Sequence, residues 1–283
     1  MTNPVLPSDF KQVVQKALAE DIGTGDITAA LIPENKQSRA QVICREKAIL
    51  CGTAWFEEVF IQLGSANNKP VHFEWQASDG QSIQPGQVIC SLDGNARTLL
   101  SGERAALNFL QTLSAVATHT HSYVERIRDT GTKILDTRKT LPGLRTAEKY
   151  AVACGGGQNH RIGLYDAYLI KENHILAAGS IEQAVNQART NNPDAPIEVE
   201  VENLDELQQA LDAGAGQILL DNMSLNTLKE AVNITQGRAT LEASGGVNLD
   251  TVRNIAETGV DFISVGSLTK NIRAVDLSMR FVS

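Results

Sequence analysis

Residues 197–222 read IEVEVENLDELQQALDAGAGQILLDN, and this stretch decides the fold class. Two short apolar runs, 197–201 and 217–220, enclose a segment in which Leu204, Leu207 and Leu211 recur at helical spacing. A strand, a helix and a second strand in this order are typical of a crossover unit, whose two strands run parallel. The stretch therefore predicts an α/β protein.

The same unit recurs through the second half of the chain. Six apolar runs, spaced from the third onward by about one strand plus one crossover helix, cover residues 133–135, 167–170, 197–201, 217–220, 239–243 and 261–265. Such repetition predicts a parallel sheet, either open or closed into a barrel.

The first half of the chain has a different pattern. Strand-like runs at 41–44, 71–75 and 88–92, a helical pattern at 53–63, and turns at Asp79-Gly80 and Pro85-Gly86 precede a long helical pattern at 101–129. These signals predict a small α+β module in front of the parallel sheet.

Composition limits the class of partner. The chain has 25 Lys plus Arg and 33 Asp plus Glu, a net charge of −8, and nucleic-acid or anionic-membrane surfaces need a positive field instead. The four cysteines lack metal-ligand spacing, which indicates reduced thiols. The first ten residues lack the charge and apolar run of a signal peptide. We expect a cytoplasmic protein with no nucleic-acid or membrane partner.

Polar or small residues stand at the end of every one of the six runs. They are Asp136 to Lys139, Lys171 to His174, Glu200 and Glu202, Asp221 and Asn222, Ser244 to Gly246, and Gly266 and Ser267, in strand order. Because barrel enzymes build their active sites from the loops at the C-terminal ends of the strands, we expect these residues to converge.

The residue types suggest a ligand with three parts. Cations follow the first two strands, carboxylates the next two, and glycines the last two, which suits an anionic group, a bridging Mg²⁺ and a terminal phosphate. The alternation of Glu198, Glu200 and Glu202 with apolar residues is equally typical of an exposed strand face. Asp221, which ends a fully apolar strand, is harder to explain by packing.

The cations are concentrated in one segment. Between residues 136 and 174, six Lys or Arg and four Asp or Glu give 6 − 4 = +2, so the rest of the chain carries −8 − 2 = −10. A buried dicarboxylate ligand requires such a local excess, since an unpaired buried charge costs several kcal/mol. A structural, positively charged loop is the alternative, and the run Gly155-Gly156-Gly157 counts against it.

Motifs along nearly the whole chain together resemble the quinolinate phosphoribosyltransferase family, also called nicotinate-nucleotide pyrophosphorylase (carboxylating). They are Glu20-Asp21-x-Gly-x-Gly-Asp26-Ile27-Thr28, Gly102-Glu103-Arg104-x-x-Leu107-Asn108-Phe109-Leu110, Asp136-Thr137-Arg138-Lys139-Thr140-x-Pro142-Gly143-Leu144-Arg145, Asn159-His160-Arg161, Lys171-Glu172-Asn173-His174, Glu198-Val199-Glu200-Val201, Leu220-Asp221-Asn222, Glu242-Ala243-Ser244-Gly245-Gly246 and Ser264-Val265-Gly266. Any one of these motifs would be a weak signal alone.

The resemblance implies a fold and a reaction. The fold is an N-terminal α/β sandwich domain, here residues 1–110, followed by an open TIM-like α/β barrel of six or seven strands, here residues 111–270, with the tail 271–283 packed back on the first domain. The reaction joins quinolinate to 5-phosphoribosyl-1-pyrophosphate with Mg²⁺ and gives nicotinate mononucleotide, pyrophosphate and CO₂ in NAD biosynthesis. The enzyme would be a glycosyltransferase of the pentosyltransferase type and a homodimer.

The resemblance also implies roles for individual residues. Thr137 would lie among the substrate-binding residues, and Arg138, Lys139, His160, Arg161 and Lys171 would hold the quinolinate carboxylates, with Arg104 supplied by the partner subunit. Glu200 and Asp221 would serve the ribose hydroxyls and Mg²⁺, largely through substrate and water. Ser244, Gly245, Gly246, Val265, Gly266 and Ser267 would hold the 5′-phosphate, and Lys139, Lys171, Glu200 and Asp221 would be the catalytic residues. Lys270 stands where many members have His, so no specific role follows for it.

Two other functions fit parts of the pattern. Lys171 could be the Schiff-base lysine of a barrel aldolase, because it too follows a barrel strand. The chain could instead be a non-catalytic anion-binding relative, such as those associated with molybdate transport. Trapping with borohydride tests the first alternative, and an assay for nicotinate mononucleotide and CO₂ tests the second.

Overall fold

The structure is a computed structural model that describes residues 4–282. Residues 1–3 and 283, at the ends of the predicted N-terminal domain and tail, lie outside the described residues. The chain divides into two compact units. The first comprises residues up to 121, 140–156 and from 268 onward, and the second comprises 122–139 and 157–267.

The first unit combines helices with short antiparallel strands. Its elements are α1 (Phe10–Ile22), a 3₁₀ turn (Ala29–Leu31), β1 (Gln37–Cys44), β2 (Ala48–Ile49), α2 (Thr53–Asn67), β3 (His72–Trp75), β4 (Ser82–Ile83), β5 (Val88–Asn95), most of α3 (Ala96–Arg126), α4 (Arg145–Cys154) and β12 (Leu277–Val282). The strand order in its main sheet is β12-β1-β5-β3, and β2 pairs with β4. The C-terminal strand therefore lies at the edge of the N-terminal sheet.

The core of this unit forms around α2. Trp55, Phe56 and Phe60 are fully buried, and the ring of Phe56 packs edge-on against those of Phe60 and Trp75, with centroids 5.2 and 5.5 Å away. Burying each aromatic side chain contributes roughly 1.5–3 kcal/mol. The helical spacing of residues 53–63 thus predicted the start and the buried face of α2.

The second unit alternates strands and helices. Its elements are β6 (Lys133–Leu135), β7 (Tyr168–Ile170), α5 (Glu172–Ala178), α6 (Ile181–Asn191), β8 (Ile197–Val201), α7 (Leu204–Asp212), β9 (Gln217–Asp221), α8 (Leu225–Thr235), β10 (Thr240–Ser244), α9 (Val252–Ala256) and β11 (Phe262–Ser264), and it ends where α10 (Ser267–Lys270) begins. All six strands are parallel, in the order β6-β11-β10-β9-β8-β7. The predicted α/β class with an open TIM-like barrel is confirmed.

The register of the sheet separates its two faces. Glu200 and Glu242 are both paired with Leu219, and Glu198 is paired with Gln217, so these side chains share a face with Asp221. Val199, Val201, Ile218 and Leu220 alternate with them and are fully buried on the other face. The sheet therefore has one apolar face for packing and one face that carries polar groups.

Two features of the helices differ from the sequence prediction, and a third concerns membranes. The predicted boundary between residues 110 and 111 falls inside α3, which is continuous there, and the domain bounds stay a prediction. Helix α4 lies where the sequence analysis assigned no element. Within residues 4–282, no helix has both the length and the apolar character needed to cross a bilayer.

The glycine run after α4 has a steric explanation at its first position. A Cβ added to Gly155 would lie 2.4 Å from the carbonyl oxygen of Ala117 and 2.7 Å from Cβ of Thr120, both on α3. Only glycine allows this approach of the two backbones. Gly156 has a φ of +91°, a second reason for glycine.

Candidate active site

The ends of β7 and β8 meet through a pair of opposite charges. The ammonium of Lys171, directly after β7, contacts the carboxylate of Glu200 near the end of β8. Glu200 is largely buried, whereas Lys171 is partly exposed. The side chain of Glu200 therefore points away from solvent, as expected of a site residue and not of an exposed strand face. Glu202 lies beyond the end of the strand and is exposed.

The ends of β9 and β10 are joined by Asn222. Its backbone N–H donates to the carbonyl of Ser244 at 2.9 Å, and its side-chain amide donates to Asp221 Oδ2 at 2.7 Å. A Cβ on Gly245 would lie 2.0 Å from Asn222 Oδ1, and Gly245 has a φ of +101°. Glycine is thus required at 245 so that Asn222 can orient Asp221.

The ends of β6 and β11 also lie side by side. The backbone N–H of Lys139 donates to Thr137 Oγ1 at 3.0 Å, and a Cβ on Gly266 would lie 3.0 Å from Lys139 Cδ. The hydroxyls of Tyr123 and Ser267 are 3.4 Å apart. The loop with Thr137 and Lys139 therefore borders the loop with Gly266.

Two arginines form the cationic part of the site. The Nε atoms of Arg138 and Arg161 are buried without a hydrogen-bond partner among the described residues. Burial, and then the neighbouring charge of Arg138, lower the pKa of Arg161 from its ordinary value. Arg161 is anchored by a 2.9 Å bond from Nη1 to the carbonyl of Ala167. Two neighbouring guanidinium groups form a cationic cluster, which is suited to bind an anion through charge-assisted hydrogen bonds.

Asp136 connects the loops that carry these arginines. Its fully buried carboxylate accepts the backbone N–H of His160 at 2.9 Å and the side-chain amide of Asn159 at 2.6 Å. Arg138 follows Asp136 by two residues and Arg161 follows His160 directly. Asp136 was expected at the site as a strand-end residue but was given no role of its own, and its position directly after an apolar strand was the signal for that role.

The structure brings together most of the predicted site residues, and all except Arg104 lie in the second unit. Arg104 lies exposed on α3 in the first unit, and Lys270 ends α10, also exposed. Sequence reasoning gave no role in this region to Tyr123, Gln217 or Glu242, although Glu242 begins one of the quoted motifs. They lie in segments read as a helix or apolar strands, and contact the site only because the parallel strands bring distant residues together.

Comparison with known proteins assigns the family. The profile of the quinolinate phosphoribosyl transferase N-terminal domain matches residues 26–114, and that of the C-terminal domain matches residues 116–280. The chain belongs to the quinolinate phosphoribosyltransferase family. The resemblance inferred from the motifs is therefore confirmed over nearly the whole length of the chain.

Individual relatives agree with this assignment. A probable nicotinate-nucleotide pyrophosphorylase [carboxylating] of Bacillus subtilis is 42% identical over 95% of this chain and 92% of its own length. A chloroplastic protein with that name from Arabidopsis thaliana is 38% identical over 96% of this chain and 82% of its own. The nicotinate-nucleotide pyrophosphorylase structure from Francisella tularensis matches with a TM-score of 0.94 and 49% identity, and covers 99% of this chain and 98% of that one.

Proposed function

We propose that this chain transfers the phosphoribosyl group of 5-phosphoribosyl-1-pyrophosphate to quinolinate and decarboxylates the product. The products are nicotinate mononucleotide, pyrophosphate and CO₂, so the enzyme belongs to NAD biosynthesis. The observation that carries the proposal is the pair of neighbouring guanidinium groups of Arg138 and Arg161 in a chain of this family. A pyridine dicarboxylate supplies the carboxylate acceptors that guanidinium groups bind through charge-assisted hydrogen bonds.

The cations bind quinolinate. Arg138 and Arg161 accommodate one end of the dicarboxylate, and Lys139 and Lys171 approach it from the ends of the strands on either edge of the sheet, β6 and β7. A flat dianion between four cations loses its hydration without leaving a buried charge unpaired. Lys171 pairs with Glu200, and a Schiff base on Lys171 would require the loss of this ion pair, which counts against the aldolase alternative.

The phosphorylated sugar occupies the remaining strand ends. Glu200 and Asp221 accept hydrogen bonds from the ribose hydroxyls, and the backbone N–H groups of residues 244–246 and 265–267 bind the 5′-phosphate. Gly245 and Gly246 both have positive φ, a conformation that glycine adopts readily and that suits a tight turn around a phosphate. Thr137, which orients Lys139, completes this side of the site.

The carboxylates also fit Mg²⁺. Glu200 and Asp221 lie on one face of the neighbouring strands β8 and β9, and they offer hard oxygen ligands, which Mg²⁺ prefers together with water and substrate phosphates. When bound, the ion supplies positive charge that stabilises the departing pyrophosphate. The side-chain amide of Asn222 donates a hydrogen bond to Oδ2 of Asp221 and keeps that carboxylate in place.

The protein's part in the chemistry is positioning and charge stabilisation. The cations orient the pyridine nitrogen towards C1 of the ribose, and the carboxylates of Glu200 and Asp221 stabilise positive charge at that carbon. As CO₂ departs, the electron pair of the broken bond stays on the ring carbon, where the positive charge of the adjacent quaternised nitrogen stabilises it, and this carbon then takes up a proton. No side-chain nucleophile is needed.

Assembly and location extend the proposal. Arg104 reaches the site of the partner subunit in a homodimer, which agrees with its exposed position on α3. A cytoplasmic location is also proposed, although the Arabidopsis relative is named as chloroplastic.

One assay tests the reaction. Purified protein is incubated with quinolinate carrying a ¹³C-labelled carboxyl group at ring position 2, 5-phosphoribosyl-1-pyrophosphate and Mg²⁺. We expect nicotinate mononucleotide and labelled CO₂ in equal amounts. If both compounds bind and no product forms, the chain is a non-catalytic relative.

A further inference from the structure

A buried hydrogen-bonded cluster lies inside the sheet of the second unit, and we call it the His160 network. It consists of His160, Glu198, Gln217 and Glu242. His160 Nε2 is 2.8 Å from Glu198 Oε2 and 3.5 Å from Glu242 Oε2. The amide of Gln217 donates to Glu198 Oε1 at 3.0 Å and to Glu242 Oε2 at 3.2 Å. Only 4% of Glu198 and 1% of Glu242 is exposed.

The hydrogen bonds of the His160 ring determine its protonation. The backbone N–H of Arg161 donates to Nδ1 at 2.7 Å, so Nδ1 must carry a lone pair and not a proton. The remaining nitrogen, Nε2, therefore carries the proton and donates it to Glu198. The ring is a neutral imidazole with both nitrogens engaged by the protein.

A neutral ring with both nitrogens engaged is poorly suited to bind a carboxylate of quinolinate directly. It is well suited to hold the chain around it. The ring nitrogen Nδ1 accepts from Arg161, and the backbone N–H of His160 donates to Asp136, two residues before Arg138. The His160 ring thus connects Glu198 to the backbone of Arg161, and the backbone N–H of the same residue connects it to Asp136 in the loop of Arg138.

The charge of Glu198 has a second consequence. Arg138 and Arg161 repel each other, and Glu198 is an opposite charge that favours the charged form of Arg161. Burial, and then the charge of Glu198, raise the pKa of Glu242 to about 8. Burial beside a second carboxylate therefore favours the neutral form of Glu242.

We propose that Glu198 is a positioning residue of the quinolinate site, which acts through a neutral His160 to hold Arg161 and Arg138 at the spacing that the dicarboxylate requires. The inference rests on the proposed function, because quinolinate is the ligand that the two arginines bind. Gln217 supports the positioning role of Glu198, because its side-chain amide donates a hydrogen bond to the second carboxylate oxygen, Oε1.

Kinetics of two variants test the inference. Glu198→Gln keeps the shape and an acceptor for the ring but removes the charge, and Glu198→Ala removes both. We expect the KM for quinolinate to rise about tenfold in Glu198→Gln and further in Glu198→Ala, with the KM for 5-phosphoribosyl-1-pyrophosphate changed less than about twofold. Glu230→Gln, which makes the same chemical change at an exposed position on α8, is the matched control and should behave as wild type.

A spectroscopic measurement covers the case in which Glu198→Ala does not fold. Nitrogen-15 NMR of the histidine rings, with His160 assigned by its loss in His160→Gln, should show an unprotonated Nδ1 and a protonated Nε2 in the wild type at pH 7. A doubly protonated ring, or equal changes in both KM values in folded Glu198→Gln, would overturn the inference. Absence of product from the wild type would count against the proposed function instead, while the NMR result would still decide the tautomer.

Discussion

The ammonium of Lys171 pairs with the carboxylate of Glu200 across the neighbouring strands β7 and β8. This contact joins a group proposed to bind quinolinate to one proposed to bind the ribose. The two substrates would therefore meet at this pair.

Replacement of Lys171 should impair both binding and turnover. In Lys171→Ala the carboxylate of Glu200 loses its partner and quinolinate loses a cation, so we expect kcat/KM for quinolinate to fall roughly tenfold to a hundredfold, about 1.4–3 kcal/mol. Steady-state kinetics measure this fall. The control is Lys133→Ala, an exposed lysine at the opposite end of β6, which should leave the kinetics unchanged. Near-wild-type kinetics for both Lys171→Ala and Arg138→Ala would refute the assignment of the cationic site.

Gly245→Ala should weaken binding of the phosphorylated sugar. The new Cβ would lie 2.0 Å from Asn222 Oδ1 and 3.0 Å from Asn222 Cα, so Asn222 and the carboxylate of Asp221 must move. We expect the KM for 5-phosphoribosyl-1-pyrophosphate to rise at least about tenfold. The control is Gly246→Ala, which has positive φ but open space around the Cβ, and should cost only about 1–2 kcal/mol of stability. Equal KM values in the two variants would contradict the steric argument.

Glu148 should make the first unit less stable as the pH rises. Burial raises its pKa from 4.5 to about 7, against the effect of a hydrogen bond from the backbone of Leu141. The folded state therefore binds more protons than the unfolded state between these values, so the free energy of unfolding falls as pH rises through them, by on the order of 1–3 kcal/mol.

Denaturant unfolding of the wild type and Glu148→Gln measures this effect. The difference in unfolding free energy between the two proteins should grow in favour of Glu148→Gln from about pH 5 to about pH 8. Glu172→Gln, an exposed glutamate on α5, serves as the control and should show no such trend. A pH-independent difference for Glu148→Gln would show that Glu148 is ionised in the folded protein throughout.

Mixed dimers test whether Arg104 acts on the partner's site. One subunit carries Arg104→Ala and the other Lys171→Ala, so a shared site would contain both native groups in one of its two copies. We expect about half of the wild-type activity per dimer from an equal mixture purified by two affinity tags. Activity no higher than that of the two single-variant homodimers would show that Arg104 serves its own subunit.

The alternation of glutamates in β8 illustrates what local sequence patterns can and cannot predict. The pattern of Glu198, Glu200 and Glu202 with Val199 and Val201 predicted a strand, and its bounds were confirmed. It did not distinguish a solvent-facing from an inward-facing row. The distinction depends on the curvature of the sheet and on Lys171 and His160, which approach from β7 and from the 157–167 segment.

Sequence by itself determined the parallel sheet, the strand ends as the location of the polar groups, and the family, because these depend on periodicities and motifs within short stretches of chain. Tertiary structure alone decided that Glu198 and Glu242 are buried together beside His160, and that the Nε atoms of Arg138 and Arg161 have no hydrogen-bond partner within residues 4–282. These properties depend on contacts between distant parts of the chain, such as that of His160 with Glu198, 38 residues later in the sequence, which a parallel crossover topology brings together. Proton positions and buried charges follow from such contacts, and a linear pattern of residues does not contain them.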